Sequence, residues 1–184
     1  MNFETQHTLA APNRAATATM THPQRILFVC LGNICRSPSA QGIFSHLAAA
    51  RPGPERFLVD SAGTHDYHVG KAPDARAIAA AGRAGVDISG QRARQFSVED
   101  FKRFDHILVM DERNRSFITE MCPPGQAHKV KAIIDFTEHD LAGVPDPFHG
   151  EETDFDEMVE LLFDVCGATL DALDQRAACC RPVE

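Results

Sequence analysis

The chain has 184 residues, enough for one well-buried domain and too few for two of ordinary size. Its 43% hydrophobic and 24% charged content is that of a soluble globular domain, and its formal net charge of -8 argues against a general nucleic-acid binder, which would carry a basic footprint. No stretch approaches the roughly 18–20 apolar residues of a membrane span, and the N-terminus lacks the basic-then-apolar pattern of a secretory signal, so a cytoplasmic, reducing setting is expected. In that setting Cys122, Cys166, Cys179 and Cys180 are expected as free thiols, and no close Cys/His spacing suggests a zinc site.

Residues 1–24 show no apolar period and are rich in Thr, Ala, Asn and Pro, which predicts a mobile tail. Arg25 to Val29 reads as a first strand, apolar on both faces and therefore central in a parallel sheet. Cys30 ends that run, a tight loop follows, and Ser37-Pro38 reads as an N-cap with proline at the first helical position. That helix carries Ile43, Phe44 and Leu47 on one face and ends before Pro52. Phe57 to Ala62 is a second strand, followed by a loop through Tyr67 and Gly70. The next helix runs from about Pro73 to Ala84 and is stopped by Gly85.

Ser97 with Asp100 three residues on predicts a short capped helix, and His106 to Met110 a third buried strand. Asp111 can cap the helix that follows, through about Met121, before Pro123-Pro124-Gly125 breaks it. Val130 to Ile134 reads as a fourth strand. A loop with Pro145-Asp146-Pro147 in its middle leads to a last helix from about Phe155 to Arg176, with Met158, Leu161, Leu162, Val165, Thr169 and Leu173 in helical register. Strand and helix alternate throughout. The expected architecture is thus α/β: a single doubly wound domain over residues 25–176, with a short tail at 177–184. In such folds ligands bind beyond the carboxyl ends of the strands, where the Cys30 loop begins.

The loop from Cys30 to Ser37 has the chemistry of a phosphate cradle. A strand end curling into a helix N-terminus turns successive backbone N–H groups inward, and the helix adds its unsatisfied amides and positive dipole end. Gly32 permits such a curl, and Asn33 tolerates a left-handed conformation better than most residues. Arg36 can hold two phosphate oxygens through its planar fork. A thiol beside an arginine at a helix N-terminus is in the setting that favours thiolate chemistry, so Cys30 is expected to attack phosphorus and form a cysteinyl-phosphate. The Ser37 hydroxyl either caps the helix or donates to the sulfur. No lysine occurs in the loop, which excludes the Walker pattern. The leaving group needs a proton. Asp146, pushed to an extended conformation by Pro147 and stiffened by Pro145, is the expected general acid.

At this point the sequence resembles a known family. Cys30-Leu31-Gly32-Asn33-Ile34-Cys35-Arg36-Ser37-Pro38 is similar to the active-site signature of the low-molecular-weight protein tyrosine phosphatases. Asp60-Ser61-Ala62-Gly63-Thr64, Met110-Asp111-Glu112-Arg113-Asn114 and Asp146-Pro147-Phe148 match further family stretches in order. The resemblance spans about Arg25 to Leu173 and implies a four-stranded parallel sheet flanked by helices and hydrolysis without metal or cofactor. It implies Cys30 as nucleophile and Arg36 as the group that binds phosphate and the transition state. Asp146 would be general acid, then general base. The phosphate would sit on Leu31, Gly32, Asn33, Ile34, Cys35, Arg36 and Ser37, with Asn33, Ser37 and Ser61 shaping the loop. Leu31, Tyr67, Phe148 and His149 would form the pocket walls. An aromatic wall suits a phenyl ring, which favours a phosphotyrosine protein or aryl phosphate as substrate, with inorganic phosphate as product.

The pair after Pro147 is often Tyr-Tyr in the family and is Phe148-His149 here. A histidine that joins the loop network in some members is replaced by Ala84, which predicts a looser network. Cys35 in the same curl suggests a reversible Cys30–Cys35 disulfide that shields Cys30 from further oxidation. A monomer or weak homodimer is expected. Three other readings compete: an arsenate reductase on the same fold, a phosphoarginine phosphatase and a non-catalytic phosphopeptide-binding module. The absence of cysteine between Cys35 and Cys122 weakens the first, Ile34 in place of a threonine selector weakens the second, and intact Cys30, Arg36 and Asp146 weaken the third.

Overall fold

The computed structural model describes residues 22–179. Four strands form one parallel sheet in the order β2-β1-β3-β4: β1 is Gln24–Cys30, β2 Phe57–Gly63, β3 His106–Val109 and β4 Val130–Ala132. The five α-helices among the described residues are α1 Arg36–Ala49, α2 Ala75–Arg83, α3 Asp100–Arg103, α4 Glu112–Glu120 and α5 Glu152–Cys179. The expected α/β architecture is therefore the one observed. Of the predicted tails at 1–24 and 177–184, Gln24 belongs to β1 and 177–179 to α5, and residues 1–21 and 180–184 lie outside the described residues.

The chain leaves β1 in one direction to pair β2 and in the other to pair β3. The carboxyl end of β1 is thus the point where strand order reverses, and a crevice opens there because the flanking connections diverge. Ile26 to Val29 are fully buried, as a central strand covered on both faces requires. α1, α2 and α5 pack on one another, while α4 meets β3 and β4. Phe44 ties α1 to the sheet through Phe28, at 5.7 Å between ring centroids, and Phe57, edge-on at 5.4 Å.

Three local expectations change. First, α1 begins at Arg36, with Cys35 at the N-cap position and no side-chain cap, so Ser37 lies inside the first turn and does not cap it. Second, β4 stops at Ala132, and Ile133–Phe136 form a 3-10 turn. The ladder has nowhere to continue: β3 ends at Val109, opposite Ala132, and the next carbonyl, Met110, accepts the Val144 N–H at 2.8 Å. Third, α5 starts at Glu152 and continues through Cys179, three residues longer than predicted at each end. The Asp111 cap on α4 is as expected, with Oδ1 accepting from Asn114 N–H at 2.8 Å. The Ser97–Asp100 box is present too, the Ser97 N–H donating to Asp100 Oδ2 at 2.9 Å.

Candidate active site

The loop between β1 and α1 is held from outside by its carbonyls. Cys30 C=O accepts the Thr64 N–H at 2.8 Å, Leu31 C=O accepts His65 N–H at 3.0 Å, and Ile34 C=O accepts Asp74 N–H at 2.8 Å. With the carbonyls drawn outward, the amides are left facing in. Those of Ile34, Cys35, Arg36 and Ser37 have no backbone acceptor among the described residues. The missing side-chain cap on α1 has the same consequence: the first-turn N–H groups remain free for an anion.

Asn33 is the loop's turning residue. At φ 57° it is the one non-glycine residue in the left-handed region among the described residues. Its Nδ2 donates to Ser37 Oγ and to Ser61 Oγ, each at 2.9 Å, and its Oδ1 accepts the Arg94 N–H at 2.9 Å. Ser61 Oγ passes its own proton to Gln41 Oε1 at 2.7 Å. Gly32 plays a different part from the one expected. Its φ is not positive, and a Cβ there would sit 2.9 Å from His68 Cδ2, so its value is the close approach of that imidazole.

Cys30 Sγ lies at the bottom of this cup. The Asn33 N–H donates to it at 3.3 Å, and Ser37 Oγ is 3.1 Å away. The Ser37 hydroxyl donates to the Ala62 carbonyl at 3.2 Å and is hydrogen-bonded to the sulfur, so of the two roles foreseen it partners the sulfur and does not cap the helix. Cys35 is also buried, and burial pushes its thiol well up, with the charge of Cys30 and the carboxylates of Asp74 and Asp146 adding to that. It therefore stays protonated at neutral pH.

Arg36 brings distant parts of the chain together. Only 3% exposed, it donates through Nη1 to Asp111 Oδ2 at 2.6 Å and to the Val144 carbonyl at 3.2 Å, and through Nη2 to Asp146 Oδ2 at 2.7 Å. Burial opposes its charge, but the Cys30 sulfur and the Asp146 and Asp111 carboxylates more than offset this and hold the guanidinium above its ordinary range. Asp146 has the extended backbone that Pro147 imposes, φ -89° and ψ 111°, and its other oxygen accepts the Phe148 N–H at 3.3 Å. The segment after it is pinned by Arg76, whose guanidinium donates to the Phe148 and Gly150 carbonyls at 3.0 and 3.1 Å. Asp74 accepts from Arg76 in turn, and that side-chain bond is the main reason its carboxyl lies below the usual range.

The expected wall residues Leu31, Tyr67 and Phe148 are exposed large apolar side chains. His149 packs edge-on against Phe148, with centroids 5.0 Å apart. Sequence reasoning missed five participants. Asp111 was read only as a cap, yet its second oxygen holds Arg36. Gln41 and Arg94 complete the Asn33–Ser61 network, and His65 and His68 line the rim. The signal for Asp111 was its place just beyond a buried strand, at the sheet's carboxyl edge. The expectation of a loose network through Ala84 is corrected: Ala84 is exposed at the C-terminal end of α2, and Gln41 and the Arg94 amide close the network. Among the described residues no cluster of three His, Cys, Asp or Glu could hold a metal ion.

Comparison with known proteins agrees with this geometry. The sequence profile described as "Low molecular weight phosphotyrosine protein phosphatase" matches residues 25–178. The low molecular weight protein-tyrosine-phosphatase YfkJ of Bacillus subtilis is 36% identical over 151 residues, covering 82% of this chain and 96% of that one. The human low molecular weight phosphotyrosine protein phosphatase is 36% identical over 148 residues, covering 79% and 93%. Among solved structures, a protein tyrosine phosphatase from Entamoeba histolytica superposes with a TM-score of 0.80 at 34% identity, covering 84% of this chain and 99% of that one. A Geobacillus stearothermophilus arginine phosphatase, at 24% identity and a TM-score of 0.75, shares the fold. A profile match over nearly the whole described chain, relatives above 30% identity along almost their full length, and a cysteine-to-arginine loop at the strand-order reversal lead to one conclusion: the chain belongs to the low molecular weight phosphotyrosine protein phosphatase family.

Proposed function

We propose that this protein is a phosphoric monoester hydrolase that removes phosphate from phosphotyrosine, in a protein or as a simple aryl phosphate, through a cysteinyl-phosphate intermediate. The observation that carries the reading is the meeting of Cys30, Arg36 and Asp146 at one amide-lined cup, although Asp146 lies 110 residues from Arg36. The phosphoryl oxygens are held by the loop amides from Leu31 to Ser37 and by the Arg36 fork, with the charge of the transition state spread over donors already in place.

Cys30 Sγ attacks phosphorus as the phosphorus–oxygen bond to the phenol breaks. Asp146, protonated for this step, gives its proton to the departing oxygen. In the second step the Asp146 carboxylate takes a proton from water, the water oxygen bonds to phosphorus, the phosphorus–sulfur bond breaks, and inorganic phosphate leaves. Both steps require Asp146 to release Arg36, whose Nη2 then turns to the phosphoryl oxygens. The arriving dianion replaces the carboxylate as partner of the same cation. Leu31, Tyr67, Phe148 and His149 receive the phenyl ring, and Asn33, Ser37 and Ser61 keep the loop in shape.

Redox control belongs to the same reading. An oxidant such as hydrogen peroxide converts the Cys30 thiolate to a sulfenic acid. The Cys35 sulfur then displaces water from it to form a disulfide, which a dithiol reverses. No helix is long and apolar enough to cross a membrane among the described residues. With an acidic chain and a catalytic thiol that must stay reduced, work in the cytoplasm as a monomer or weak homodimer is the matching setting. No role with nucleic acid is included.

The deciding experiment is a substrate panel of phosphotyrosine, phosphoserine and phosphoarginine peptides with arsenate, run on wild type, Cys30→Ser and Asp146→Ala. Turnover is expected with phosphotyrosine and none with Cys30→Ser. Asp146→Ala is expected to slow phenols of high pKa far more than those of low pKa. Equal slowing across leaving groups would remove Asp146 as the acid. Preference for phosphoarginine or thioredoxin-coupled arsenate reduction would replace the reading, and absence of any turnover would leave a binding module.

A further inference from the structure

The rim of the phosphate cup carries a run of three rings, Tyr67, His65 and Phe117, of which the mechanism above uses only Tyr67. Tyr67 is 61% exposed on the loop after β2. A tyrosine so placed would ordinarily sample several rotamers and lose that freedom when a ligand stacks on it. Here its ring lies nearly parallel to the His65 imidazole, with centroids 5.0 Å apart and planes 23° apart. His65 in turn meets Phe117 of α4, at 5.2 Å and 37°. Tyr67 has no other ring contact among the described residues.

The imidazole is fixed by more than its ring neighbours. His65 Nδ1 is 2.8 Å from Thr64 Oγ1. The backbone on either side of that bond is tied to the phosphate loop, Thr64 N–H to Cys30 C=O and His65 N–H to Leu31 C=O. Phe117 is partly buried against the core. His65 is therefore held by the loop that binds phosphate and by a core-backed ring, and it passes that rigidity to the one exposed tyrosine at the rim. The other wall is built differently: Phe148 meets His68 at 6.1 Å and 50°, and His149 edge-on.

We infer that His65 is a positioning residue that pre-forms Tyr67 as a flat wall beside the phosphate cup, and that this gives the site its preference for aryl over alkyl phosphomonoesters. The inference rests on the aryl-phosphate reading above. His65 touches neither phosphorus nor leaving group. It acts by sparing the ligand the cost of ordering Tyr67, and an offset-stacked pair contributes in the range of a few-fold to about ten-fold in affinity.

The test is calorimetric titration of phenylphosphonate, methylphosphonate and inorganic phosphate into wild type, His65→Ala and His65→Phe. None of the three probes needs turnover. Wild type is expected to prefer phenylphosphonate over methylphosphonate by about ten-fold or more. His65→Ala should lose about three- to ten-fold of phenylphosphonate affinity with methylphosphonate and phosphate unchanged, and His65→Phe, which keeps a ring but not the Thr64 bond, should regain it. Kinetically, KM for phosphotyrosine should rise by the same factor in His65→Ala with kcat held. A wild-type preference that survives in His65→Ala overturns the inference alone. Parallel loss of phosphate affinity, or no recovery in His65→Phe, overturns it as well by making His65 a support of the loop. A wild-type ratio near one overturns the aryl-phosphate reading and the inference together.

Discussion

Asn33→Ala tests how the phosphate loop holds its shape. Three hydrogen bonds leave the Asn33 side chain, to Ser37, Ser61 and the Arg94 amide, each at 2.9 Å. At about 0.5–1.5 kcal/mol each, their loss costs roughly 2–4 kcal/mol. Alanine at φ 57° adds about 1 kcal/mol, since the left-handed region disfavours a Cβ without a side chain that bonds locally. Asn33→Gly loses the same bonds but not the backbone term, so the two variants separate the contributions. For a domain of this size about 3–5 kcal/mol corresponds to a fall in Tm of roughly 6–20 °C. The glycine variant should lie a few degrees above the alanine variant. Thermal unfolding followed by circular dichroism gives the Tm, and kcat/KM on an aryl phosphate reports the loop. Both variants should lose about a hundred-fold or more, because an ångström of misplacement in the cup has that effect. A drop of less than 3 °C in Asn33→Ala would refute the network's share, and identical Tm values for the two variants would refute the backbone term.

Other outcomes follow from neighbouring groups. Asp111→Asn keeps an oxygen to cap α4 but weakens the charge-assisted bond to Arg36, so kcat/KM should fall about ten-fold or more with Tm nearly unchanged, while Asp111→Ala should also lose about 1 kcal/mol of stability by removing the cap. Equal Tm for the two would contradict the dual role. The Asp74 carboxyl is held below its usual range by Arg76, so its contribution is present above the unfolded value near 4 and is lost as pH falls through the lower folded value. The Tm of Asp74→Asn should therefore trail wild type at pH 7, begin to close on it near pH 4 and meet it only below the folded value, and a constant gap across that range would refute the assignment. Cys35→Ser should be inactivated irreversibly by peroxide where wild type recovers with dithiothreitol, and a Cys30–Cys35 peptide should appear in oxidised wild type. Full recovery of the serine variant would exclude Cys35 as the resolving thiol.

What the sequence determined by itself is what short-range rules govern. A buried apolar run ending in Cys30, then a loop and a helix, is legible because strand period and helix start depend on residues within a few positions. So is the extended backbone of Asp146, which Pro147 imposes sterically, and so is the Asp111 cap. The tertiary structure decided everything that depends on strand order. Placing β1 between β2 and β3, with β4 parallel beside β3, brings the connections after all four strands to one edge. Arg36 there meets Asp111 and Asp146, 75 and 110 residues away, and Asn33 meets Ser61 and the Arg94 amide. No local pattern encodes which strands are neighbours. For the same reason the sequence left Ser37 open between helix cap and partner of the sulfur, which only the structure decided, and Ile133 and Ile134 looked like strand although no partner remains for them there. His65, which no motif marks, became visible only when α4 placed Phe117 against it.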